Sequence, residues 1–184
     1  MPRIPPITGK SDVPAAHQGV VDQVVKVFGG VRGPFSMLLH SPQLAERLLP
    51  LVTFFRDEST VEGKLRSVAI LAAVREREAA YVWSAQVAAA RRNGVADQVI
   101  DLLRAKGDPA GLPTDERAIV VYVRQLMRTN RVDRAAFDAL AKRRGPQWLV
   151  EMTAAANYFA MLSGVVNALE VEAPPDGDKL PASA

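Results

Sequence analysis

At 184 residues the chain has the length of one domain, with a core large enough to stand without disulfide or metal staples. Its composition, 48% hydrophobic and 23% charged, is that of an ordinary globular protein, and the absence of cysteine excludes disulfides, thiolate metal ligation and thiol redox chemistry. The formal charge of +3 comes from arginines scattered along the chain, which argues against a nucleic-acid partner. No stretch reads as the roughly 20 apolar residues that a membrane span needs. No apolar run follows the first arginine, so no secretory signal is expected and the protein reads as cytoplasmic.

In chain order, residues 1–10 are Pro-rich and aperiodic, which predicts an extended arm lying across the body or a neighbouring subunit. Residues 11–170 read as a single helical domain and residues 171–184 as a loose tail. Ser11, Asp12 and Pro14 are start signals. Val20, Val21, Val24, Val25 and Phe28 then recur at helical spacing until Gly29-Gly30. Phe35 to His40 predicts about one helical turn, and Ser41-Pro42 restarts the chain. Leu44, Leu48, Leu51, Val52 and Phe55 form the next stripe, with a kink or break expected at Pro50.

From Glu62, the pattern Leu65, Val68, Ala69, Ala72 and Ala73 predicts a helix whose small residues let a neighbour approach closely. Arg75 to Glu78 marks its end or a bend, and another helix runs from about Glu78 to Asn93-Gly94. Asp97 opens a short helix to Ala105. Thr114 is read as the cap of a helix to Arg128 and Asp133 as the cap of one to Arg143; Gly145-Pro146 starts a long last helix to about Leu169. No alternating strand pattern is present. The expected fold is all-α, with about eight helices and no sheet.

Several segments together resemble the carboxymuconolactone decarboxylase family, within the alkylhydroperoxidase-like superfamily. They are Leu38-Leu39-His40-Ser41-Pro42-Gln43-Leu44-Ala45, Leu65 through Leu71, Tyr81-Val82-Trp83-Ser84-Ala85-Gln86, and Ala90 through Val95. Arg131-Val132-Asp133 and Tyr158 through Leu169 follow in the same order. The resemblance implies an alkylhydroperoxidase-like helical bundle, assembled as a homo-oligomer (trimer or hexamer). Its site would lie between the helix of Ser67 and the helix of Val82 and Gln86. It also implies glutamate where this chain has Ser67, glutamate or cysteine at Val82, and histidine at Gln86. In thiol peroxidase relatives a cysteine pair would fall at Ala79 and Val82. All of these are replaced, so the thiol reaction is excluded and the usual proton-transfer groups are missing.

The remaining candidates are weighed from their chemistry. On a continuous helix Glu78, Val82 and Gln86 would share a face, so Glu78 is a candidate acid. Its alternative role, and the favoured one, is pairing with Arg75 or Arg77 at a solvated helix start. Tyr81 is a candidate proton donor or acceptor, and Trp83 a pocket wall, although aromatics at helical spacing more often serve the core or an interface. Gln86 is the better site candidate, because an amide on an apolar helix needs a partner. Arg66 and Arg91 are candidate carboxylate binders, with Ser67 and Val82 beside the substrate, although surface or interface ion pairs are the favoured role of both arginines. His40 is expected to satisfy local backbone groups. With His17 it makes no metal-binding spacing, so neither metal nor cofactor is expected. Two functions stay open: a decarboxylase-like enzyme acting on a small cyclic organic acid or lactone, and a catalytically inactive oligomeric binding or structural protein.

Overall fold

Leu65 to Arg75 form an unbroken run of buried residues, and the helix that holds them, α4 (Gly63–Glu76), is the element around which the others pack. In the computed structural model, which describes residues 1–181, eight further α-helices surround it. Before it come α1 (Gln18–Phe28), α2 (Pro34–Leu38) and α3 (Pro42–Thr53). After it come α5 (Ala80–Arg92), α6 (Asp97–Arg104), α7 (Thr114–Thr129), α8 (Arg134–Ala141) and α9 (Pro146–Ala168). There is no strand among the described residues, so the all-α expectation holds. The ninth helix is α2, the turn expected at Phe35 to His40.

Helix α4 contacts α5, α6, α7 and α9. Ala69, Ala72 and Ala73 are buried to 1% or less, and a helix surrounded on all sides has no polar face to keep. Helix α9 is its main neighbour and carries Met152, Ala155, Ala156, Leu162 and Val166 into the core. Contrary to the sequence expectation, α9 is long and apolar enough, at 23 residues, to match a membrane span in length and composition. Its place against α4, α2 and α5 accounts for that composition, since a central helix also needs apolar residues on most of its surface.

Pro50 does not break α3. It lies on the exposed side, where the carbonyl left without its N–H partner faces water, and the helix continues to Thr53 before a π-helical turn over Phe54–Glu58. The buried face of α3 is Pro42, Ala45 and Leu49, whereas Leu44 and Leu51 of the expected stripe are exposed. Asp133 caps α8 through a 2.7 Å bond from the Ala136 N–H, as expected, but Thr114 is the first residue of α7 rather than its cap.

Both ends of the domain lie on the bundle. Ile7 is buried and its N–H donates to the Ser36 carbonyl at 3.0 Å, while the Arg3 N–H donates to Leu169 and its guanidinium pairs with Glu170. The arm therefore crosses its own body. His40 contacts this arm, with Nε2 2.8 Å from the Pro5 carbonyl, rather than its local backbone. Nor is the tail loose as far as Pro181. Asp178 pairs with Arg91 and Arg104, and Leu180 packs against the core. Residues 182–184 of the expected tail lie outside the described residues.

Candidate functional site

A cavity of about 530 Å³ opens beside α4 and α5, within the size range of small-molecule sites. Its walls come from elements distant in sequence. Val27 and Phe28 come from α1, Phe35 from α2, Val52 and Phe55 from the end of α3 and the π-helical turn, and Phe159 and Leu162 from α9. α4 contributes Arg66, Ser67 and Ile70, and α5 presents one face, from Tyr81 to Arg92, followed by its C-cap Asn93. Ser67, Val82 and Gln86, the three positions singled out by resemblance, line this one space together with Tyr81 and Arg66.

Glu78 and Trp83 do not join them. The chain leaves α4 through Arg77 and passes Glu78 in the left-handed region (φ 52°), so α5 starts only at Ala80. Helical periodicity therefore does not reach back to Glu78, and the shared face expected for Glu78, Val82 and Gln86 does not form. The Glu78 carboxylate instead joins Arg75 and Lys106 in an ion-pair cluster. Burial acts to raise its pKa, but the Lys106 ammonium and Arg75 guanidinium outweigh it, and the net direction is down. That is the environment of a permanent carboxylate, unsuited to a general acid. Trp83 points the other way, fully buried in the core, with the Arg104 guanidinium 5.9 Å from its ring. One turn of α5 thus divides between core and cavity: Val82 is on the cavity side and Trp83, about 100° further round, is not.

The charge of the cavity is one-sided. Arg32, Arg56, Arg66 and Arg92 line it, without any Asp, Glu or His among the described residues. Arg56 is held by Asp57 at 2.9 Å, and Arg32 donates to the Phe28 carbonyl. Arg66 is the deepest of the four, only 8% exposed, and donates to the carbonyls of Val61 at 2.9 Å and Arg56 at 3.2 Å. Burial lowers its pKa, opposed by Asp57, which is itself committed to Arg56. A buried guanidinium satisfied only by neutral carbonyls keeps most of its charge uncompensated, a costly state that an anion would relieve.

Beside it, the buried Ser67 hydroxyl accepts a 2.9 Å bond from Asn93. Tyr81 is fixed by Gly33, whose backbone lies so close to the ring that an added Cβ would stand 2.3 Å from Cε1. Burial raises the Tyr81 pKa, with Arg32 opposing, so the phenol stays protonated at neutral pH and acts as a hydrogen-bond donor. Gln86, also on the cavity, can present both a donor and an acceptor to an occupant.

Sequence reasoning missed Arg92, Asn93 and the ring of phenylalanines. Of the Arg91-Arg92 pair it weighed Arg91, which is spent on Asp97 at 2.8 Å and Asp178 at 2.7 Å, while its neighbour lines the cavity. In sequence Asn93 carries only the signal of a helix stop. The phenylalanines converge from four elements, so no local spacing could reveal them.

Comparison with solved structures places this arrangement. An uncharacterized peroxidase-related protein from Ralstonia eutropha JMP134, described as an alkylhydroperoxidase AhpD core, superposes with a TM-score of 0.75 at 19% identity. The match covers 95% of this chain and 93% of that one. The fold is the alkylhydroperoxidase-like one. A protein of unknown function from Agrobacterium tumefaciens, described as a putative antioxidant defence protein AhpD, shares this fold at a TM-score of 0.67 and 15% identity, over 79% of this chain and all of its own. The debrominase Bmp8, solved as a Cys-to-Ala variant with 2,3,4-tribromopyrrole, gives a TM-score of 0.73 at 18% identity over 95% of each chain. No family model and no curated protein matches the chain. The alkylhydroperoxidase-like fold here therefore carries a cavity lined by four arginines, in a chain without cysteine.

Proposed function

We propose that the protein binds a small organic acid with an apolar, ring-sized body in the cavity beside α4 and α5, its anionic group against Arg66. The observation that carries this reading is the lining itself: among the described residues, four arginines, one of them buried without a carboxylate partner, face aromatic walls and no acidic side chain. Phe28, Phe35, Phe55 and Phe159 supply apolar surface for the body of such a ligand, and Gln86 and Tyr81 supply polar contacts that orient it. The tribromopyrrole bound by one fold neighbour is a ligand of comparable compactness. Peroxidase chemistry of the thiol kind is outside this reading, because the chain has no cysteine.

A decarboxylase-like reaction on a cyclic acid or lactone is the second reading. Tyr81 favours it as the cavity's one neutral side chain with a titratable proton. Both readings take the protein as a cytoplasmic homo-oligomer, and sedimentation of the purified protein tests the assembly. Titration calorimetry with naphthoate separates the functions. In the binding reading, Arg66→Gln weakens the acid at least tenfold, Arg66→Lys recovers part of the loss and Tyr81→Phe leaves binding within about threefold. Lactone turnover by the wild type that vanishes in Tyr81→Phe would establish the enzyme instead. Equal naphthoate affinity in Arg66→Gln and wild type would sink the anion site.

A further inference from the structure

One part of the cavity wall lies outside the helices. After α9 ends at Ala168, the chain turns back over α5 without regular structure, and Pro174 becomes part of the cavity wall. Gly177 then passes so close to Ser84, another lining residue, that an added Cβ would stand 2.0 Å from its hydroxyl oxygen. Directly afterwards, the Asp178 carboxylate reaches Arg91 of α5 at 2.7 Å and Arg104 of α6 at 3.0 Å. Leu180 returns to the apolar core. A wall residue, a close backbone approach, a double ion pair and an apolar anchor thus follow one another within seven residues, 174–180.

We propose that residues 173–180 form a strap that gates the cavity, with Asp178 as its latch; the ligand-gating part of this rests on the proposed function, the gating of access does not. Release needs no helix to unfold, since the segment is joined to α5 and α6 by side chains. Its one internal backbone bond runs from the Gly177 N–H to the Pro174 carbonyl at 3.1 Å. Two partly exposed ion pairs are weak enough to open thermally and strong enough together to hold the closed form as the major one. Pro174 and Pro175 stiffen the strap, so it moves as a unit. Glycine at 177 lets it lie flat on α5; a larger residue there lifts it.

The lack of cysteine in the chain supplies the test. Val82→Cys places a single thiol in the cavity lining at a position only 2% exposed, and its rate of reaction with a methanethiosulfonate reagent measures opening. Adding Asp178→Ala is expected to raise that rate roughly five- to tenfold, the effect of losing two partly exposed ion pairs. Added salt should accelerate the parent thiol and leave the Asp178→Ala form nearly unchanged. Gly177→Val should mimic Asp178→Ala. Gln86→Cys serves as a second reporter if Val82→Cys does not fold. Equal labelling with and without Asp178→Ala, including no labelling in either, overturns the strap. Naphthoate is absent from these measurements, so strap-dependent labelling in a protein that fails to bind naphthoate would defeat the proposed ligand while leaving the gate intact.

Discussion

Asn93 donates a 2.9 Å hydrogen bond to the Ser67 hydroxyl and so ties the C-terminal end of α5 to the middle of α4 at the edge of the cavity. The two ends of this bond are unequal, since Ser67 is buried and Asn93 is exposed. Asn93→Ala leaves a buried hydroxyl without its donor and should cost about 1–2 kcal/mol, whereas Ser67→Ala frees an amide that water can solvate and should cost less than about 1 kcal/mol. Urea denaturation of both variants checks the order; the reverse order would show that this bond does not join the helices energetically.

Gly33 holds Tyr81 in place through backbone conformation and proximity together. Its φ of 58° disfavours any side chain, and the Tyr81 ring occupies the space a Cβ would take. Gly33→Ala should destabilise by about 2–3 kcal/mol. In a Tyr81→Ala background the steric part disappears and the loss should fall to about 1 kcal/mol, the backbone part alone. A thermal melt of the four proteins in this cycle would reveal additive losses if the ring does not rest on Gly33.

Trp83 belongs to the core rather than to the cavity. Its indole N–H is buried without a partner among the described residues, so Trp83→Phe removes an unsatisfied donor while leaving a small void. A net cost of about 1–2 kcal/mol is expected, with naphthoate affinity within about twofold of wild type. A large affinity loss at unchanged stability would return Trp83 to the site.

Glu78 should matter for acid stability and not for ligand. Its folded pKa lies below the ordinary 4.5, so its contribution is fully present above that unfolded value and is lost as pH falls through the lower folded value. The stability gap between wild type and Glu78→Gln should therefore be open at neutral pH and close on acidification below 4.5. Urea midpoints across that range measure it, and a gap that widens with acid would contradict the depressed pKa. Naphthoate affinity of Glu78→Gln at neutral pH should match wild type, because the carboxylate is off the cavity.

The positions of most helices were legible in the chain because their signals are local. Gly29 and Gly94 stop α1 and α5 with positive φ, Asp133 caps α8, and Pro146 starts α9, each through groups a few residues apart. The lack of cysteine likewise ruled out thiol chemistry by composition alone. The motif from Tyr81 to Gln86 located a real cavity but not its chemistry. Whether Glu78 shared a face with Gln86 hung on one residue at φ 52°, which interrupts the helical phase and sends the carboxylate to Lys106. The phase of α5 puts Arg92 on the cavity, while Arg91 finds its partner in Asp178, 87 residues away. The charge of the site, its phenylalanine walls and its strap arise where six distant segments meet. Sequence determined the helices and the missing thiols; tertiary packing decided which arginine is buried without an acid, because counter-charge depends on neighbours in space.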